Sequence, residues 1–434
     1  MSNKNTDKVS EFEKMKKVIM SCVAGNALEW YDFAIYGCFT TIISKLFFPP
    51  GDEFAQLIAT LGAFAAGLIA RPIGAIMFGY IGDVVGRKKA IVISIYMMAI
   101  PTALMGFLPT YAQIGGWAGA SLILARIVQG LALGGGFTGT IVFLYEHSSA
   151  DKKATYSCWA PFSLVSGFVL GTFVAACITF LCTEQQLESY GWRIAFILSF
   201  IGTFVAEYVK NKLEDPKEFL ETQKKEEAVP AAKKEGLLGN LFKNHWKGLT
   251  LITMTDVLTA CGYFLLSVFF MPYFEKCVGF GRQDAIVIQS INMVLFAAFI
   301  VFGGWTADKV GRKRQMLIST ILTGVLAYPA FIFLSSGVFI NAVLGQMLLI
   351  FLFSMYWSVI PAAICSMLPT KVRLIGVSIA HNFAMAAFGA YAPTLAFWMI
   401  EHTGNNTVIP WVLFAVSSAL TTIALFAWKE GKNY

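Results

Sequence analysis

Gly79-Tyr80-Ile81-Gly82-Asp83-Val84-Val85-Gly86-Arg87-Lys88-Lys89 recurs 225 positions later as Gly304-Trp305-Thr306-Ala307-Asp308-Lys309-Val310-Gly311-Arg312-Lys313-Arg314. Each copy closes an apolar run and opens onto basic residues, so the chain reads as a duplicated unit with one loop of repeated chemistry. Gly79 and Gly304 suit close helix approach. The acids Asp83 and Asp308, each at a helix end, can pair with basic residues or with a neighbouring helix N-terminus. Together with Gly86, Arg87, Lys88, Gly311, Arg312 and Lys313 they form a candidate latch. Ordinary basic decoration of a loop accounts for the Lys and Arg but not for the repeated spacing.

Outward from these loops the chain is overwhelmingly apolar. Of 434 residues 57% are hydrophobic and 14% charged, and the mean hydropathy is +0.65, which leaves too little polar surface for a soluble fold. Cutting at charged or Pro/Gly-rich interruptions gives twelve apolar spans, at about 18–47, 54–81, 89–108, 118–146, 154–182, 191–209, 247–274, 284–306, 315–335, 338–367, 374–400 and 408–428. The fold class is therefore an all-α membrane protein of twelve helices in two pseudo-symmetric six-helix bundles. The expected divisions are a cytoplasmic segment 1–17, a bundle 18–209, a linker 210–246, a second bundle 247–428 and a tail 429–434. No cleaved signal peptide is expected, since the first apolar span follows seventeen polar residues and contains Glu29 and Asp32. The eight Cys lie mostly in apolar runs without a CxxC pair and read as packing residues.

The net charge of +7 is explained by topology. With the N-terminus cytoplasmic, 27 of the 33 Lys and Arg fall on the inner side, nine of them in the 208–247 interruption, so both termini are inside and no nucleic-acid partner is expected. The lipid bilayer is the partner that the composition demands.

The paired loops, G-x-x-x-D-x-x-G-R-K-[KR], resemble the signature loop of the major facilitator superfamily. Within it, Gly25-Asn26-Ala27-Leu28-Glu29-Trp30-Tyr31-Asp32-Phe33-Ala34-Ile35-Tyr36 resembles the first-helix signature of the metabolite:H+ symporters, a family of proline/betaine, α-ketoglutarate, citrate and shikimate transporters. Arg71-Pro72-Ile73-Gly74, Arg126-Ile127-Val128-Gln129-Gly130, Gly191-Trp192-Arg193 and Leu368-Pro369-Thr370-Lys371-Val372-Arg373 extend the likeness over nearly the whole chain. One departure is Gly136, where family members usually carry Glu. Another is the short segment after the last span, in place of the coiled-coil tail of some osmosensing relatives.

Glu29, Asp32, Arg71, Arg126 and Asp256 lie within apolar spans, where an unpaired charge costs roughly 2.5–3.5 kcal/mol. Such residues line cavities or pair with one another. Glu29, Asp32 and Tyr36 share one helical face, as do Arg126 and Gln129. Likeness to the sugar porters of the same superfamily implies that Asp32 and Arg126 form a protonation-linked pair, with Glu29 beside it; the competing role is a permanent salt bridge. Resemblance also implies that Glu146 pairs with Arg87 or Lys88 at the gate. Asp256 belongs to no recognised motif and reads equally as a cavity acid or a snorkelling side chain.

Substrate contacts are expected from Tyr36, Arg71, Gln129, Tyr263, Gln289, Asn292, Tyr356, Trp357, His381 and Asn382, the polar and aromatic groups that a cavity between two halves requires. For each of these, helix-to-helix bonding is the competing role; for His381, which lies well inside a span, a satisfied interhelical hydrogen bond is the default and a proton relay the alternative. Gly130, Gly134, Gly135 and Gly139, with Gly167 and Gly171, suit tight helix packing, and the Gly134–Thr140 stretch lacks the ending of a phosphate loop. The expected function is a monomeric, proton-coupled symporter importing a small carboxylate-bearing metabolite across a bacterial cytoplasmic membrane. No metal, cofactor or enzymatic activity is expected, the proton being the coupling ion. The rival readings are a drug/proton or metabolite efflux antiporter and a non-transporting membrane receptor.

Overall fold

The computed structural model describes residues 2–51, 53–227, 236–431 and 434. Every regular element among them is helical, as lipid requires of a chain whose backbone N–H and C=O groups must be satisfied within each segment. Eleven stretches are long and apolar enough to cross a bilayer: Gly62–Val85, Arg87–Met105, Trp117–His147, Ala150–Leu181, Glu184–Lys212, Trp246–Val278, Gln283–Val310, Arg312–Leu334, Phe339–Ser366, Thr370–Thr403 and Val408–Ala427. The 37-residue helix Ser2–Cys38, continued by Thr40–Phe47, supplies the remaining span of the twelve. Its hydropathy is lowered by Asn26, Glu29 and Asp32, which are all buried against protein. We number these helices spans 1 to 12 in chain order. Within the 208–247 interruption, Lys217–Glu227 and Leu237–Asn244 are helical, and 228–235 lie outside the described residues.

Two compact units make up the chain: Met1–His147 with Ser163–Ala228, and Ser148–Phe162 with Val229–Tyr434. The division assigns 148–162, which the sequence boundary places in the first bundle, to the second unit. The reason is local: a β-carbon on Gly304 would fall 2.4 Å from Cys158 Sγ, so this segment packs directly on span 8.

Close packing in the first unit depends on residues without side chains. A β-carbon at Gly130 would lie 1.9 Å from the Gly67 carbonyl, and one at Gly134 2.2 Å from the Arg71 carbonyl, so spans 2 and 4 meet backbone to backbone. Gly167 and Gly171 abut span 1 in the same way, at the Ala27 and Tyr31 carbonyls. Gly139 does not: its β-carbon would sit 3.6 Å from Ile91, an ordinary contact, so no close approach requires glycine there.

Candidate functional site: two buried carboxylates and two loop latches

Asp32 and Tyr36 stand one turn apart on span 1, as do Arg126 and Gln129 near the middle of span 4. The two faces meet. Arg126 donates through Nη1 to Oδ2 of the fully buried Asp32, and its guanidinium lies over the Tyr36 ring, 3.7 Å from the centroid. Gln129 Nε2 donates to Asp32 Oδ1 at 3.2 Å and to Thr102 Oγ1 at 2.6 Å. Tyr36 is itself fixed, its hydroxyl donating to the Thr60 carbonyl at 2.9 Å. Arg126 Nε and Nη2 are buried and make no hydrogen bond. These two atoms form the edge of a guanidinium that receives a carboxylate in two parallel bonds. A guanidinium remains charged throughout the physiological range, so protonation of Asp32 changes the net charge of the pair by one.

Glu29 takes different partners from the Asp32 cluster that shared helical spacing suggests. Its carboxylate lies against the Cα of Gly136, where a β-carbon would fall 2.0 Å from Oε1, with the Ser94 side chain and the charge of Arg71 nearby. Gly136, having no side chain, thus makes room for a carboxylate from span 1.

The first latch is built around Arg87, which is buried and donates to four oxygens. Nε and Nη2 reach the two Glu146 oxygens at 3.0 and 3.2 Å, while Nη1 reaches the Gly82 carbonyl at 2.8 Å and also Asp83. Arg87 is therefore the partner of Glu146. Lys88 turns away: its ammonium donates to the carbonyls of Lys210 and Leu213, and its backbone N–H to Asp215 Oδ1 at 2.7 Å. Gly86, at φ 143°, makes the sharp junction between spans 2 and 3, and Gly311, at φ 103°, makes the corresponding junction between spans 8 and 9. Gly79 is buried at the end of span 2.

Asp308, in the second copy, meets a helix N-terminus. Its carboxylate accepts from Thr155 N at 2.7 Å, Ala154 N at 3.2 Å and Thr155 Oγ1 at 2.8 Å, capping the helix Lys153–Ser157, and it pairs with Arg312 Nε at 2.8 Å. Arg312 also donates to the Ala150 carbonyl at 2.8 Å, and Lys313 to the Trp428 carbonyl. The two copies share the pairing of the acid with the arginine four residues on and differ in the further partners, Glu146 in the first and the Ala154 and Thr155 amides in the second.

Of the expected substrate residues in the second unit, several are committed to helix–helix bonds. Gln289 accepts from Gln346 Nε2 at 2.7 Å and donates to the Leu266 carbonyl at 3.0 Å, while Asn292 donates to Gln346 Oε1 at 3.0 Å. Gln346 is the centre of this amide chain. Tyr356 donates to the Thr255 carbonyl and lies 3.2 Å from Thr259 Oγ1. Tyr263 and Trp357 rings meet at 5.5 Å between centroids, with Phe296 and Phe353 around Trp357. Asn382 donates back to the Ser378 carbonyl at 2.8 Å. His381, by contrast, meets Asp256: Nδ1 lies 2.6 Å from Oδ2, both residues buried, and Asp256 is not snorkelling. Sequence reasoning singled out each residue but did not join them, since 125 positions separate them and neither lies in a motif.

Comparison with known proteins places the chain in a family and a fold. Residues 17–433 match the family described as "Sugar (and other) transporter". The proline/betaine transporter of Salmonella typhimurium LT2 is 29% identical over 429 residues, covering 97% of this chain and 84% of that protein. The glycine betaine/proline/ectoine/pipecolic acid transporter OusA of Dickeya dadantii 3937 is 29% identical over 426 residues, with the same coverage. Among solved structures, the major facilitator superfamily proton:xylose symporter XylE bound to 6-bromo-6-deoxy-D-glucose superposes with a TM-score of 0.79 at 17% identity, covering 98% of each chain. The inward-open form of XylE from E. coli superposes at 0.61 with 18% identity, covering 97% of each chain. At these identities the solved structures bear on the fold alone. The chain belongs to the sugar (and other) transporter family, and its twelve-helix architecture is that of the major facilitator superfamily.

Proposed function

We propose that this transporter imports a small carboxylate-bearing zwitterion of the proline/betaine type by alternating access, in symport with protons, as a monomer in a bacterial cytoplasmic membrane with both termini inside. The observation that carries this reading is the buried Asp32–Arg126 pair. Asp32 supplies a protonatable group with a fixed counter-charge, and the Nε/Nη2 edge of Arg126 offers a carboxylate two donors that make no hydrogen bond within the protein. The names of the relatives, transporters of proline, betaine and ectoine, support the substrate class. The excess of basic residues on one side supports the orientation.

The driving force is sufficient. One net charge moved across 100 mV supplies about 2.3 kcal/mol, and one pH unit adds about 1.4 kcal/mol. Together they support roughly 500-fold accumulation of a net-neutral solute. In this account Asp32 loads and releases the coupling proton, and the Arg87–Glu146 and Asp308–Thr155 contacts hold the inner ends of their units. The test is uptake of radiolabelled proline, betaine, α-ketoglutarate, citrate, shikimate and choline into proteoliposomes under an imposed pH gradient, repeated with the gradient collapsed. Gradient-dependent accumulation of proline or betaine, without accumulation of choline, which lacks a carboxylate, is the expected result. Expulsion of lipophilic cations with no solute accumulated would replace symport by antiport.

A further inference from the structure

We propose that the short helix before span 7, Leu237–Asn244, is an interfacial anchor seated in the headgroup region of the bilayer, on the side that carries most of the Lys and Arg. A single residue joins it to the span. His245, at φ −125° and ψ 18°, ends this helix and begins Trp246–Thr255. Backbone bonds run on either side of the junction, from His245 N–H to the Leu241 carbonyl at 3.0 Å and from Leu249 N–H to the His245 carbonyl at 3.1 Å. The short helix is thus tied to a membrane-spanning one without slack.

Its sequence makes a wide apolar arc. At the turn of an α-helix, Leu237, Leu238, Leu241 and Phe242 fall within about 140° of one another, and Gly239, Asn240, Lys243 and Asn244 occupy the remainder. Protein covers only one flank of that arc. Leu241 has zero exposure and packs on span 11, where a β-carbon at Gly376 would fall 3.1 Å from its Cδ1. On the other flank Leu238 is 40% and Phe242 55% exposed, and Trp246, one turn further on, is 55% exposed. With Leu241 seated, the helix cannot roll to hide the two side chains beside it. On the polar side Asn244 Nδ2 donates to Asn240 Oδ1 at 2.8 Å.

The occupant of this uncovered flank is the bilayer surface. Trp246 opens a membrane span, and Trp at such a position sits at headgroup level. Phe242 precedes it by about one turn, roughly 6 Å along a helix, so the exposed side chains begin where the lipid does. A helix lying in that plane buries its apolar side about 5–10 Å into the boundary between headgroups and acyl chains. Charge agrees with this placement. Residues 236–247 include Lys243 and Lys247 and no acid, and Lys247 Nζ lies 5.7 Å from the centre of the Trp246 ring, at the depth where anionic headgroups attract an ammonium. Seated in this way, Leu238 and Phe242 pin the last helix of the linker to the membrane beside span 7. The inference rests on the membrane-spanning fold and not on the symport reading.

The test places a fluorescent amino acid by stop-codon suppression in the full-length protein, replacing Leu238, Phe242, Asn240 or Asn244 one at a time, in nanodiscs that hold one copy each. Lipids brominated on the acyl chain quench the probe at 238 and 242 at least about threefold more than at 240 and 244, and aqueous iodide ranks the positions in the opposite order. Equal quenching at the four positions overturns the proposal. So does better access of iodide to 238 and 242, the result expected if that face awaits a second copy or a soluble partner. A second measurement leaves the helix free of probes. Leu238→Asp with Phe242→Asp, which keeps Leu241, speeds hydrogen exchange at the amides of 237–244 at least about fivefold, whereas Asn240→Asp, which can still accept from Asn244, does not. Unchanged exchange in the double variant is also contrary. Lipid quenching as expected with no proton-driven uptake would remove the symport reading and leave the anchor standing; uptake without such quenching would do the reverse.

Discussion

The Cα of Gly136 lies against the carboxylate of Glu29, so closely that a β-carbon would fall 2.0 Å from Oε1. The obstacle at this position is the far end of a flexible side chain. At Gly130 it is the backbone carbonyl of Gly67, at 1.9 Å. The two glycines therefore respond differently to Ala. Gly130→Ala forces spans 2 and 4 apart and lowers stability by about 1–3 kcal/mol, the usual cost of overpacking, read as a fall in the melting temperature of the purified protein. Gly136→Ala displaces only the Glu29 carboxylate and costs about 1 kcal/mol or less. Equal losses at the two positions would contradict this packing.

Arg87 donates to Glu146, Asp83 and the Gly82 carbonyl from one buried guanidinium. Arg87→Ala leaves two carboxylates without it and costs about 3–5 kcal/mol, while Arg87→Ala with Glu146→Ala costs less than the two single changes together. Thermal unfolding of the two single variants and the double variant measures the coupling. Additive losses would show that the pair does not act as a unit.

Asp308 caps the helix Lys153–Ser157 through the amides of Ala154 and Thr155. Asp308→Ala removes the cap and lowers stability by about 0.5–2 kcal/mol, and hydrogen exchange at the Ala154 and Thr155 amides rises. Unchanged protection at those amides would count against the capping role.

Arg126 both pairs with Asp32 and lies over the Tyr36 ring. Lys has no planar fork, so Arg126→Lys reduces uptake at least about tenfold. Tyr36→Phe keeps the ring, loses one hydrogen bond to the Thr60 carbonyl, and costs about 1 kcal/mol in stability with uptake largely retained. Initial rates of uptake for the two variants, normalised to folded protein, distinguish the contributions.

Much of this architecture is legible in the chain itself. Apolar runs near bilayer length mark the spans, and the repeated loop reveals the duplication, because lipid imposes length and polarity on each segment separately. Asp32 with Arg126 and Arg87 with Glu146 were also accessible, through resemblance to families with the same pairing. Other contacts depend on how each helix is rotated about its axis. Asp256 meets His381, Gln346 joins Gln289 to Asn292, and Asp215 caps span 3 from the linker. Such pairings join residues on different segments, and spacing along one helix does not determine them. Glu29 shows the same limit in reverse: it shares a face with Asp32 by periodicity, yet its carboxylate lies by Gly136.

The central claim is that Asp32 carries the coupling proton, and Asp32→Asn tests it most directly. The amide fills the same space but holds no titratable proton. In proteoliposomes, uphill accumulation driven by an imposed pH gradient is predicted to disappear in this variant, while exchange of labelled for unlabelled solute without a gradient continues. Accumulation of the solute at the wild-type level by Asp32→Asn would contradict the claim and make the Asp32–Arg126 pair a structural salt bridge.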